Sequence, residues 1–393
     1  MHVGDTGSTG GPLAGVKVVE LAGIGPSPFA ALLLAELGAD VIRVDRPSVA
    51  TDSVDLTGGL GRSRPSIAVD LKSDAGRDVV LRLVEQADIL IEGMRPGVTE
   101  RLGLGPDACL ARNPQLVYGR MTGWGQSGPW ASMAGHDINY AALSGALHLV
   151  GPAERPMAPV NLLADFGGGT MYLLVGILAA LQSRRSTGRG QVVDAAMVDG
   201  AASLVTMMYA MYGAGSWRDE RGVNLLDGGA PFYDTYECAD GKFVSVGAIE
   251  PQFFAQLLTG LGLEELAGQQ YDTTQWPEHR RVIAERLRTR TRDEWAAAFE
   301  GTDACVAPVL SLAEAPHHPH LQARGIFADV AGAAQPRVAP RFSETPGREP
   351  TPERAPGADT RTALAAWGWR EGELEELITS GAVTQRSDIE HRL

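Results

Sequence analysis

The stretch VKVVELAGIGPSPFAALLLAELGADVIRVDRP, residues 16–47, decides the fold. Val16–Leu21 is an apolar run suited to a buried strand, AGIGPSP is a glycine- and proline-rich turn, Phe29–Leu37 reads as a buried helix, and Val41–Val44 as a second strand. Pro28 suits a first helical turn and Ser27 the cap before it. Strand, loop, helix and strand in this order make one unit of a parallel sheet.

The pattern repeats outward. Ser66–Asp70, Asp88–Ile91, Leu116–Met121 and Gln191–Ala195 read as further strands, and Asp74–Gln86 as an amphipathic helix. The expected class is α/β, a doubly wound parallel sheet. Thr170–Arg184, opened by Gly167–Gly169, is apolar nearly all round and is expected to be a central helix. Periodicity fades between Gly213 and Gly229. Phe232–Glu237 and Phe243–Val246 then flank Ala239-Asp240-Gly241 as a hairpin, opening a smaller α+β domain with helices at Gln252–Leu261 and Trp276–Leu287. Prolines 336, 340, 346, 350, 352 and 356 mark a connector over 331–358, after which Thr360–Ile378 is helical.

With 44% hydrophobic residues, the 393-residue chain can bury a core, which excludes global disorder. Its net charge of −14 disfavours nucleic acid and anionic membrane surfaces as partners. Cys109, Cys238 and Cys305 are odd in number and match no metal spacing, as suits a reducing compartment. The tail over residues 1–11 lacks the order of a signal peptide, and the longest apolar stretch, Leu173–Leu181, is half a membrane span, so the chain reads as cytoplasmic. His317-His318-Pro319-His320 has no cysteine or carboxylate at ligand spacing and reads as a solvent-facing turn, so no metal is expected.

Basic residues follow the strand ends: Arg43 and Arg46, Arg62 and Arg64, Lys72, Arg95 and Arg101. Carboxyl ends of parallel strands share one rim, so these cations form either a phosphate site or a set of solvated charges. Gly23, Gly25 and Asp45 match part of a dinucleotide fingerprint without its third glycine, and fit a plain βα turn equally. The glycine-rich loop Thr122–Tyr140 sets His136 and Asp137 just before a helix whose first amides could hold an oxyanion; His136 is either structural or an acid/base group. Asp165, between apolar residues and glycines, is a partly desolvated carboxylate or an ordinary cap. Glu250 follows the strand FVSVGAI on a loop, and also fits a surface charge.

ADVIRVDRP (39–47), AVDLKSDAG (68–76), ILIEGMRPGVTERLGLG (89–105), RMTGWGQSGP (120–129), GHDINY (135–140), GQVVDAAMVDG (190–200) and DGGAPFYDTYECADGKFVSVGAIEPQF (227–253) resemble the family III CoA transferases, and GWREGELEELITSGAV (368–383) resembles the family's closing helix. The resemblance implies a large Rossmann-like domain from residues 12–200 and 325–393, a linker over 201–229, a small domain over 230–315, and two subunits interlocked as rings. It implies an acyl-CoA substrate with no other cofactor. Racemases of the family move one proton α to a thioester, which requires two acid/base groups on opposite faces of that carbon. The resemblance assigns these to His136 and Asp165, adds Glu250 from the partner's small domain, and gives the Asp137 amide to the enolate oxygen. It carries CoA contacts onto Arg46, Val69, Asp70, Leu71, Lys72, Gly93, Met94, Arg95, Pro96, Gly97 and Arg101, with Gly135 and Tyr140 at the site. The alternative is CoA transfer, with Asp165 attacking the thioester; His136, which transferases of the family do not need, favours racemisation. A silent CoA-binding protein would not need His136, Asp165 and Glu250 together.

Overall fold

The computed structural model describes residues 10–47 and 58–386. The expected tail lies outside these except for Gly10 and Gly11, and Leu13 N–H already donates to Leu37 O. The chain divides into two compact units: Met1–Ser144 with Val160–Leu204 and Gly325–Leu393, and Gly145–Pro159 with Val205–Arg324. Residues 145–159 thus leave the first segment, where the sequence placed them. The expected linker is partly helical, over Thr206–Gly213.

The first unit is built on β1 (Lys17–Leu21), β2 (Asp40–Asp45), β3 (Ser66–Val69), β4 (Ile89–Glu92), β5 (Val117–Thr122) and β6 (Val192–Ala196). Their order is β3-β2-β1-β4-β5-β6, all parallel, with Val383–Thr384 added antiparallel to β3. β3 and β4 are buried at every position, which is why they read as continuous apolar runs. The strand order reverses between β1 and β4, and a crevice opens at such a point beyond the carboxyl ends.

Helix α1 (Pro26–Glu36) follows β1 and begins earlier than the sequence suggested. Gly25 occupies the cap with φ 68°, and Pro26 takes the first helical position. Ser27 is therefore inside the helix and caps nothing. Helix α2 (Asp74–Val84) is capped as a serine should cap, with Ser73 Oγ accepting from Gly76 N–H at 3.0 Å. At the other end of the chain, the helix expected over 360–378 is two, Thr360–Ala366 and Glu371–Thr379. Gly368, at φ 97°, breaks them, and Leu364, Trp367 and Trp369 at the break enter the core.

Three of the rim arginines are not on offer to a ligand. Arg64 Nε donates to Glu20 at 2.6 Å with both side chains fully buried, Arg62 holds Glu36 at 2.7 Å, and Arg43 bridges Asp45 and Glu353 at 2.7 and 3.0 Å. The partners Glu20 and Glu36 sit in apolar runs, so spacing alone did not reveal them. Arg62 also donates to Gln335 and Pro336 O, tying the proline-rich connector to the sheet domain.

In the second unit β7 (Tyr233–Glu237), β8 (Phe243–Gly247) and β9 (Val306–Pro308) form an antiparallel sheet. Helices Pro251–Leu261, Trp276–Leu287 and Arg292–Phe299 bury Leu257, Ile283 and Trp295 against it. Glu20→Gln should leave Arg64 charged and only partly paired in the core and cost about 3–5 kcal/mol in a denaturant titration. The apolar pair Glu20→Leu with Arg64→Met should recover most of that loss.

Candidate active site

The loops after β1, β4 and β5 enclose a cavity of about 640 Å³ at the switch point, with Gly25, Gly93, Gly135, His136, Tyr140 and Asp165 in its wall. His136 and Asp165, 29 positions apart in sequence, are brought to one chamber.

His136 caps helix α3 (Asp137–Leu143), where Asn139 Oδ1 accepts its backbone N–H at 3.1 Å. Asp137 does more than open that helix. Its Oδ2 accepts from the backbone N–H of Ala164 at 2.7 Å and of Asp165 at 2.8 Å, which pins the segment bearing Asp165 to the loop bearing His136. That segment, Leu162–Met171, is wound as a π-helix, with Phe166 N–H donating five residues back to Asn161 O. Such windings are rare and concentrate at functional sites. Thr170 Oγ1, fully buried, donates to Pro26 O at 2.8 Å and so ties the π-helix to the first residue of α1. The π-helix also meets helix α5, Met197–Leu204 (α4 being Tyr172–Thr187), where Gly168 and Gly200 touch backbone to backbone. A methyl group at either would force the two apart.

Burial raises the Asp165 carboxyl to about 6, with the Asp137 charge adding to it and a hydrogen bond from Asn161 and the nearby His136 opposing it. A Cβ on Gly25 would stand 3.2 Å from Asp165 Oδ2, so glycine there gives both the left-handed turn and room for the carboxylate. Tyr140 lies edge-on to Trp124 at 4.7 Å, and its phenol is pushed up to about 12 by burial and by the charge of Asp165. The sequence did not single out Asn161, Thr170 or Gly25's contact. Asn161, four residues before Asp165, was the one with a helical spacing that could have flagged it.

Of the expected CoA contacts, Gly93, Met94, Arg95 and Pro96 line the cavity. Glu92, fully buried, shapes this loop by accepting from Met94 N–H at 2.7 Å and from Arg120 Nε at 2.9 Å. Arg46, the segment Asp70-Leu71-Lys72 and Gly97 stand outside the lining, beyond the carboxyl ends of β2, β3 and β4, as does Arg101, the last residue of the short helix Val98–Arg101. Arg46, Lys72, Arg95 and Arg101 carry no ion pair within the described residues and are exposed. Val69 has its side chain in the core, which leaves only its backbone for a ligand. Glu250 belongs to the second unit, exposed at the cap of the helix Pro251–Leu261, with its carbonyl accepting from Phe253 and Phe254 N–H. Among the described residues no group of three or more histidine, cysteine or acidic side chains is arranged to hold a metal ion.

The expected central helix has a bare side. Leu173 and Ile177 of α4 pack on the sheet, whereas Met171, Tyr172, Val175 and Leu178 are exposed. The helical run Leu162–Thr187 is 26 residues long and contains an 18-residue stretch with a mean hydropathy of 1.6, enough by length and composition to cross a bilayer, and a third of that stretch is buried. The winding through Asp165 makes it longer than the apolar stretch visible in sequence.

This constellation, on this strand order, is that of a CoA-handling α/β protein, and the chain belongs to CoA-transferase family III, whose family model matches residues 13–360. The chain is 46% identical over 370 residues to alpha-methylacyl-CoA racemase of Mus musculus, covering 93% of this chain and 96% of the relative. The Homo sapiens protein of the same name is 46% identical over 371 residues, covering 93% and 96%. A solved CAIB/BAIF family protein from Brucella suis superposes with a TM-score of 0.77 at 28% identity, covering 91% of this chain and all of that one.

Two outcomes test the electrostatics. The carboxyl carbon of Asp165, followed by NMR, should titrate with a midpoint near 6, and Asp137→Asn, which keeps an acceptor for both amides but removes the charge, should lower that midpoint. Because the folded-state pKa is raised, the stability credited to the neutral carboxyl is present below about pH 4 and lost as pH passes 6. Asp165→Asn should therefore stabilise the protein at pH 8 and leave it unchanged at pH 4, as read by thermal unfolding.

Proposed function

We propose that this protein is an isomerase that interconverts the two epimers of 2-methylacyl-CoA thioesters. The observation that carries this reading is the pairing of an imidazole and a partly buried carboxyl in one chamber beside the Gly93–Pro96 loop. Inversion at carbon requires a proton to leave one face and return to the other, so each group must act as base in one direction and acid in the other. A carboxyl raised to about 6 lies in the range where imidazoles titrate, which lets the proton pass either way without a large energy gap. An ordinary carboxyl would make a poor acid at neutral pH and bias the reaction to one direction.

In this reading His136 and Asp165 take the α-proton from opposite faces, and the thioester carbonyl holds the developing charge as an enolate. The Asp137 amide donates to the enolate oxygen while its carboxylate keeps Asp165 in place. Arg46, Lys72, Arg95 and Arg101 meet the phosphates of CoA, and the backbone of Val69–Lys72 and Gly93–Gly97 packs along its nucleotide. No cofactor or metal beyond the CoA of the substrate is required. A second copy of the chain covers Met171, Tyr172, Val175 and Leu178, which recur on one side of α4 as an interface helix requires. In an interlocked homodimer that copy also supplies Glu250 to the His136 and Asp165 pair.

The test is incubation of one 2-methylacyl-CoA epimer in heavy water, with α-deuteration and epimer ratio followed with and without a free carboxylate. Exchange and inversion without an acceptor support the isomerase, whereas new thioester formed only with the acceptor would make Asp165 a nucleophile and the protein a transferase. His136→Ala should slow proton removal from one epimer by about 10²- to 10⁴-fold and from the other far less. Small, equal losses for both epimers would remove His136 from the chemistry.

A further inference from the structure

Arg120, 6% exposed, spends every nitrogen of its guanidinium on one stretch of chain. Nε donates to Glu92 Oε1 at 2.9 Å, Nη1 to Glu100 Oε1 at 2.7 Å and Nη2 to Thr99 Oγ1 at 3.4 Å. Glu92 ends β4, whereas Thr99 and Glu100 lie in the short helix Val98–Arg101. One side chain therefore spans the Gly93–Gly97 loop from its start to the helix beyond it. Tyr118, two residues earlier on β5 and so on the same face, adds a further fixed point: its hydroxyl donates to Leu104 O at 2.9 Å. Within the loop Gly97 takes φ 80°, and the Arg101 guanidinium lies over it, 3.2 Å from where a Cβ would stand.

The two carboxylates on Arg120 differ. Glu92 is fully buried, so its pairing belongs to the core. The Glu100 side chain is 44% exposed, and an ion pair that open to water adds little to stability. Its charge is also a poor neighbour for a phosphate, because it adjoins Arg101, which with Arg95 is exposed and without an ion pair among the described residues. Neither Arg120 nor Glu100 is in the cavity wall. What their contact does is close the loop: it fixes the helix that ends in Arg101 to the strand beside it, while Glu92 fixes the other end through Met94 N–H at 2.7 Å. We propose that Arg120 and Glu100 are positioning residues, which clasp the Gly93–Arg101 segment to β5 and hold Arg95 and Arg101 in the arrangement that receives the phosphates of CoA. The assignment rests on the acyl-CoA reading above and deepens it with residues that touch no ligand themselves.

Arg120→Ala would strand Glu92 as an unpaired charge in the core, so the test is made at Glu100. The direction of the effect decides. If Glu100 were only a surface charge near the phosphates, Glu100→Ala would remove a repulsion and lower KM for an acyl-CoA. As a clasp, its loss should raise KM for a 2-methylacyl-CoA about three- to tenfold, the range of one hydrogen bond, with kcat within about twofold. Glu100→Gln, which removes the charge and keeps an acceptor for Arg120, should return KM to that of the unaltered chain or below it. For the N-acetylcysteamine thioester of the same acyl group, which has no phosphates, Glu100→Ala should leave kcat/KM unchanged. An unchanged or lowered KM in Glu100→Ala, a loss in Glu100→Gln as large as in Glu100→Ala, or equal losses on both thioesters overturns the proposal. Calorimetric titration with CoA itself reads the same contact without turnover, and Kd should rise in Glu100→Ala by the same factor as KM. A chain that shows this shift but exchanges no α-proton would refute the isomerase reading and keep this one, whereas a chain that inverts the epimers with KM and Kd untouched by Glu100→Ala would do the reverse.

Discussion

Two backbone amides held by one carboxylate organise the site. Asp137 Oδ2 accepts from Ala164 and Asp165, and that joins two segments with no other reason to meet: the glycine-rich loop after β5 and the π-wound start of the long helix. Burial opposes the ionisation of Asp165, and the same contact adds to it by placing a second negative charge nearby. Burial is thus the larger cause of the raised proton affinity, and the contact that fixes the position adds to it. The Oδ1 of Asp137 is buried without a hydrogen-bond partner among the described residues.

The surrounding structure keeps that contact in register. Thr170 ties the π-helix to the start of α1, and the Gly168–Gly200 contact seats the π-helix on α5 with no side chain between. Glu92 and Arg120 do the same for the neighbouring loop from within strands β4 and β5, where a buried carboxylate takes one backbone amide and one guanidinium. In each case a polar group inside the protein is paired with backbone of the loop above it, so the loops inherit the rigidity of the sheet. The arginines show the contrast. Those whose carboxylate partners lie within the fold serve the sheet, and those without such partners face outward on its rim.

Much of this was legible in the sequence. Apolar runs broken by glycine and proline give the parallel strands, since a strand buried on both faces has no polar side to show, and the order of motifs carried His136, Asp165 and the segment Gly93–Pro96 to the cavity. Local turn chemistry was less secure: Ser27 looks like a cap because serine often is one, yet the left-handed Gly25 starts the helix two residues sooner. The helix over Thr170–Arg184 looked central because composition records apolar residues without recording which side has a neighbour.

What the sequence determined by itself is the sheet and the residue types at the ends of its strands, because hydrophobic period and turn residues act over a few positions. Only the tertiary structure decided which arginines are spent on buried glutamates, how Asp137 and Asp165 come together across 28 positions, and why Ser27 is packed against Gly93. Those are contacts between segments far apart in the chain, and their energies depend on burial and on charge at a distance, neither of which any local pattern encodes.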